Sequence, residues 1–260
     1  MSKKVLKIAL VQMQCEKGAV RKNLRKMETY IELASNSGAD IIAFPELCIP
    51  GYIFPLRMPQ HVFSATTSDV MRRYYRMTKG RNIVAIAGFA EKFGKNSRYI
   101  SQAVAANGKL MGVYRKRNVN EEEKKGFIGS DASPVFLTRS KIRFGISICA
   151  DIDKEETFKA AAQQGAKIIF HCSAPDLWKR RRNTEQWFKG YEWWKSRCQT
   201  YLSQYARKYK VFIASTTQCG RTVDEDFPGG MYVFNPQGEC IAQSNDYRES
   251  SLIATLSLTA

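Results

Sequence analysis

Three side chains stand where the chain could do chemistry. Cys149 ends the apolar run Phe144-Gly-Ile-Ser-Ile148 and begins the small, acidic step Ala150-Asp151. A buried strand that ends on a thiol and then turns holds one sulfur at a sheet edge, with rigid backbone behind it. The same place suits a buried structural cysteine, so the run alone leaves both readings open. A thiol is only a few per cent thiolate at neutral pH, so it needs a neighbouring base or a lowered pKa to attack carbon. Glu46 is one candidate base: it follows the apolar run Ala39-Asp-Ile-Ile-Ala-Phe44 and is locked between Pro45 and Pro50. A carboxylate at the end of a core strand suits general acid or base work, and it reads equally as an exposed loop glutamate. His171 is the other candidate, as the imidazole of a Cys-His pair, since the chain has only His61 and His171. Lys116, inside Arg115-Lys116-Arg117, reads by itself as a surface lysine.

The elements that must position these groups are legible from periodicity. Residues 5–12 read as a buried strand, and Leu24, Met27, Ile31 and Ala34 follow at helical spacing, with Gly38 as the stop. A Tyr- and Arg-rich segment at 67–78 predicts a helix, and 83–89 another apolar strand. Residues 99–106, the turn Asn107-Gly108 and residues 110–114 make a hairpin that feeds Lys116. Residues 142–148 deliver Cys149; 155–164 predict a helix closed by Gly165, and 166–170 a strand. The phrases Gly38-Ala-Asp-Ile-Ile and Gly165-Ala-Lys-Ile-Ile repeat one another, which points to two related α/β halves packed sheet against sheet. By that repeat, His171-Cys-Ser-Ala-Pro175 takes the place equivalent to the Glu46 loop, so both loops border one site. A single long helix is expected over 185–209, with Trp187, Tyr191, Trp194 and Cys198 on a buried or subunit-facing stripe. The last third reads as a β meander that completes the sheets.

Composition bounds the rest. With 260 residues and 44% hydrophobic side chains the chain is expected to form one domain over 1–260 with a substantial core. No stretch approaches the roughly 18 apolar residues of a membrane helix, and the apolar start is broken by Lys7, so a strand is expected there rather than a signal peptide. Seven scattered cysteines without a CxxC pair fit a reducing cytoplasm and give no metal or redox motif. The net charge of +17 attracts anions, yet the basic residues are spread along the chain and the longest unbroken run is Lys179 to Arg182. A nucleic-acid role built on that run and the nearby tryptophans is the rival of a different class, and we expect none.

Three segments together resemble the nitrilase superfamily of carbon-nitrogen hydrolases: Phe44-Pro-Glu46-Leu-Cys-Ile-Pro-Gly51-Tyr52, Tyr114-Arg-Lys116 and Ile148-Cys149-Ala-Asp151. The family's glutamate, lysine and cysteine occur in this order, each at a strand end. Gly108-Lys-Leu-Met-Gly and Gly229-Gly…Asn235-Pro-Gln-Gly238 are also similar, so the resemblance covers nearly the whole chain. It implies an α/β (α+β) fold, a four-layer α-β-β-α sandwich of two mixed sheets flanked by helices. It implies hydrolysis of a small-molecule amide, nitrile or N-carbamoyl compound, without cofactor or metal, by a protein that forms homodimers or larger assemblies. The helix around Trp187 to Trp194 is the expected contact between copies.

By the same resemblance Cys149 is the nucleophile, Glu46 its general base and Lys116 the cation beside the tetrahedral intermediate, a role worth about 3–4 kcal/mol in oxyanion-type sites. Glu123, four residues before Phe127, matches a further family glutamate that orients substrate. Tyr52, His171 and Trp178 are expected in the pocket wall, and the backbone N–H of Ala150 as a second oxyanion donor. Three departures from the family pattern, Asn118 two residues after the lysine, Ala150 after the nucleophile and Gly129-Ser130 near Phe127, predict an unusual pocket.

Overall fold

The computed structural model describes residues 4–177, 182–244 and 247–258. In β1 (Lys4–Gln12), Leu6, Ile8 and Leu10 point to one face and Ala9 and Val11 to the other, and all five are buried. A strand apolar on both faces has to be covered on both, which is the condition for layers. One cover is α1 (Val20–Asn36), through Leu24, Met27, Ile31 and Ala34. It is joined by α2 (Asp69–Arg76), through Met71, Tyr74 and Tyr75.

Beneath these helices lies a six-stranded sheet. Its parallel centre is β1, β2 (Ile41–Ala43) and β3 (Val84–Phe93), extended on one side by the antiparallel hairpin β4 (Ser97–Ala106) and β5 (Lys109–Arg115). The second sheet repeats the plan. β7 (Arg143–Ile148), β8 (Ile168–Ser173) and β9 (Phe212–Thr217) run parallel, flanked by β6 (Phe136–Leu137) on one edge and by β12 (Met231–Phe234) and β13 (Cys240–Gln243) on the other. β14 (Ser250–Leu258) returns to pair with β1 along its whole length, so the end of the chain closes the first sheet. The last third therefore divides between the two sheets. A separate two-stranded ribbon, β10 (Cys219–Arg221) with β11 (Asp226–Pro228), stands outside both.

The sheets pack face to face through Leu6, Ile8, Ile86, Val104, Phe144, Ile146, Ile168 and Phe170, while α3 (Glu155–Gln163), α4 (Thr184–Arg197) and α5 (Ser203–Tyr209) cover the outside of the second sheet. The repeated phrase has one physical basis. Gly38 and Gly165 both adopt left-handed φ, +78° and +83°, and the N–H of the following alanine returns to the helix, Ala39 to Ala34 O and Ala166 to Ala161 O. The helix expected over 185–209 is interrupted by a π turn at Cys198–Leu202. Steps of four residues from Trp194 through Cys198 and Leu202 to Ala206 would drift about 40° each around a regular helix. The wider turn absorbs that drift and keeps all four buried.

Candidate active site

Glu46 lies in the loop after β2, and that loop lies directly over Gly88 of β3. A Cβ on Gly88 would stand 2.2 Å from Leu47 N and 2.6 Å from Pro45 O, so only glycine lets the two backbones approach this closely. Ile49 N donates to Gly88 O at 3.0 Å, which fixes the loop to the strand. The Glu46 carboxylate is fully buried. Its Oε1 accepts from Lys116 Nζ at 2.8 Å and its Oε2 from the backbone N–H of Ala174 at 2.9 Å.

Lys116 follows the last residue of β5. Arg115 pins that strand end: its guanidinium donates to both oxygens of Glu91 at 2.7 and 2.8 Å and lies over the rings of Phe93 and Tyr99. The Lys116 ammonium, 0% exposed, sits between Glu46 at 2.8 Å and Glu123 Oε1 at 2.6 Å. Burial by itself disfavours the ammonium, but the charges of Glu123 and Glu46 outweigh it and hold the pKa well above the ordinary lysine value. Glu123 is oriented by Tyr52, whose hydroxyl donates to Oε1 at 2.8 Å, and by Asn120 N, which donates to Oε2 at 2.9 Å.

Cys149 begins a 3₁₀ turn (Cys149–Asp153) immediately after β7, with φ +43°. A cysteine in the left-handed region costs about 1–3 kcal/mol and persists only where its surroundings hold it. It is partly exposed, and the charges it faces are those of Glu46, Lys116 and Glu123. Burial raises its pKa well above the ordinary thiol value, the charge of Glu46 adds to this, and Lys116 opposes it. Burial also raises Glu46, against Lys116, to about 7. At rest the proton therefore sits on sulfur, and beside it stands a carboxylate whose affinity for that proton is tuned to neutral pH.

Five of the eight side chains singled out in the sequence, Glu46, Tyr52, Lys116, Glu123 and Cys149, meet here, and Ala150 adjoins them. The Ala150 carbonyl accepts from Asn118 Nδ2 at 2.7 Å. Trp178 lies outside the described residues. His171 corrects the expectation. It is buried on the helix side of β8, where Nδ1 meets Ser147 Oγ at 2.8 Å and Nε2 meets Ser173 Oγ at 2.9 Å, with its ring stacked on Trp194. Strand alternation explains this: Phe170 and Cys172 face the inter-sheet core, so His171 faces away from it. It is neither a pocket wall nor the partner of Cys149, and burial lowers its pKa to about 3.

Two positioning groups were not singled out in the sequence. The Ala174 N–H that fixes Glu46 carries no side-chain signal. Asp151, two residues after the thiol, is a buried acid that accepts four hydrogen bonds, and its place directly after a buried strand and the thiol was the available clue. Beside the site a cavity of about 490 Å³ is walled by residues 54–57, by the loop around Glu123, and by Asp224 and Glu225 from the β10–β11 turn. Among the described residues no group of three or more His, Cys, Asp or Glu is arranged to hold a metal ion.

Residues 7–260 match the family model described as carbon-nitrogen hydrolase. A nitrilase of Pyrococcus abyssi is 30% identical over 265 residues, which cover 98% of this chain and 90% of that protein. The glutamine-dependent NAD(+) synthetase of Acinetobacter baylyi is 27% identical over 254 residues, 95% of this chain but 43% of that protein, so the chain spans less than half of this relative. Among solved structures, the Acinetobacter baumannii glutamine-dependent NAD+ synthetase superposes with a TM-score of 0.81 at 26% identity, over 98% of this chain and 46% of the other. An amidase from Nesterenkonia sp. shares the fold with a TM-score of 0.80 at 23% identity, over 99% and 92%. With a family match that runs nearly from end to end, on two mixed six-stranded sheets flanked by helices, the chain belongs to the carbon-nitrogen hydrolase family of the nitrilase superfamily.

Proposed function

We propose that the chain hydrolyses an amide-type carbon-nitrogen bond in a small molecule through a thioester on Cys149. The observation that carries this reading is the fully buried Lys116 ammonium held between Glu46 and Glu123, with the Cys149 thiol in the electrostatic field of the same three charges. Glu46 takes the thiol proton as sulfur attacks the carbonyl carbon. The oxygen gains negative charge, which Lys116 and the Ala150 N–H stabilise, and the carbon-nitrogen bond breaks as Glu46 returns the proton to the departing nitrogen. Ammonia or an amine leaves and a thioester remains. Water, deprotonated by Glu46, then attacks the thioester; the carboxylic acid departs and the proton returns to sulfur. Glu123 and Tyr52 keep Lys116 and the substrate carbonyl in register.

The test is a panel of simple amides, ω-amides, N-carbamoyl compounds and nitriles, read by ammonia release. At least one amide should turn over, and Cys149→Ala should abolish release while the protein stays folded. Release that survives Cys149→Ala sinks the proposal, and turnover confined to nitriles would replace the thioester with a thioimidate route.

A further inference from the structure

We propose that Asp151 is a positioning residue that sets Lys116 against Cys149 across the two sheets; this rests on the thioester reading above. The sheets meet mainly through apolar side chains, and apolar contact is non-directional. Other polar links between them, Thr216 Oγ1 to Val11 O, Gly230 N to Gln12 Oε1 and Ala174 N to Glu46 Oε2, do not touch the backbone that carries Lys116. Apolar contact brings the sheets together without fixing the ammonium relative to the sulfur to a fraction of an ångström. The Asp151 carboxylate supplies direction. One oxygen accepts from Arg117 N at 3.1 Å and Asn118 N at 2.7 Å, the two residues that follow the lysine. The other accepts from Tyr114 Oη at 2.7 Å, two residues before the lysine, and from Ile148 N at 2.9 Å, the residue before the nucleophile.

A single buried carboxylate thus holds the lysine segment of one sheet on both sides of Lys116 and the strained turn of the other sheet at Cys149. Asn118 closes the link from the opposite direction, through Nδ2 to Ala150 O at 2.7 Å. Capping of the 3₁₀ turn would use only the bond from Ile148. The remaining three bonds all go to the lysine segment, and two of them are short, at 2.7 Å.

Alkylation of Cys149 by iodoacetamide tests this without any substrate. The background is Cys240→Ser, because Cys240 is the other free thiol open to solvent among the described residues. In the parent, Lys116 favours the thiolate. Asp151→Asn turns one acceptor oxygen into a donor facing donors and should release the lysine segment. The alkylation rate near neutral pH should fall about tenfold and its pH midpoint rise by about a unit. On any substrate found by the panel, kcat should fall about 100-fold while KM changes little, the cost of a misplacement near 1 Å. Asn118→Ala, which loses only the Ala150 tether, should show a smaller fall of the same kind with Tm nearly unchanged. If both variants alkylate at the parent rate and midpoint while only Tm drops, the role is structural and the proposal is overturned. Should Asp151→Asn fail to fold, Asn118→Ala alone decides. A panel without turnover would count against the amide reading and leave the alkylation result standing.

Discussion

Lys116 keeps a charge at a depth where a lone ammonium would lose its proton, because two carboxylates face it. Catalysis needs Glu46 as the free carboxylate, and burial moves its pKa from the ordinary carboxylate range to about 7. Below that value the base is already protonated and cannot take the thiol proton. We therefore expect kcat/KM to rise through about pH 7 and to reach a plateau, with Lys116 still charged on the alkaline side because its pKa is held high. A profile of kcat/KM against pH on any active substrate checks this. A rising limb near 4.5 would mean that burial does not govern Glu46, and Glu46→Gln should lose activity at every pH.

At the scale of elements, the Glu46 loop depends on a close approach that Gly88 permits. Gly88→Ala would drive a methyl group into the backbone of Pro45, Glu46 and Leu47, with contacts of 2.6, 2.8 and 2.2 Å. The expected cost is about 1–3 kcal/mol in denaturant unfolding, together with a large fall in kcat as the Glu46 loop is displaced. Unchanged kcat with only a lower midpoint would show that the loop tolerates the shift. Most of the scaffold was legible because strand and helix periods are written in the apolar residues, and the repeated Gly-Ala phrase marked the two halves. Glu46 and Cys149 were legible as groups at strand ends. Lys116 was not, apart from the family resemblance, because Arg115 and Arg117 give it the local look of surface, and of its two carboxylates Glu46 comes from a loop 70 residues away while Glu123, seven residues on, sits among the exposed Glu121 and Glu122. His171 was misplaced because its loop matched that of Glu46, whereas alternation with Phe170 and Cys172 already set its face. The π turn and the β10–β11 ribbon follow from tertiary packing that no local pattern announces.

Across the whole molecule, the net charge of +17 makes two copies repel, and it makes any polyanion attractive. The aromatic stripe expected to mediate contacts is largely consumed by the chain's own core: Tyr191 and Trp194 are buried, and the Trp187 and Trp194 indoles donate to Phe227 O and Thr217 Oγ1. Trp194 is buried and stacks on His171, and Trp187 meets Tyr247 edge to face, so both rings are engaged by the chain itself. What α4 leaves outward is Phe188, 49% exposed, and Trp193, 39% exposed, and we propose that a second copy of this chain covers them. The two kinds of partner then respond to salt in opposite ways. Screening shortens the reach of charge from about 30 Å at 0.01 M to about 8 Å at 0.15 M, which relieves repulsion between like-charged copies. Counterion release makes nucleic-acid binding weaken steeply over the same range. Light scattering should therefore show the mass moving from one chain toward two as salt is raised, with Phe188→Glu returning it to one. A mass of one chain at every salt concentration would refute the dimer, and a salt-resistant shift of labelled DNA would refute the reading of the basic surface as non-specific.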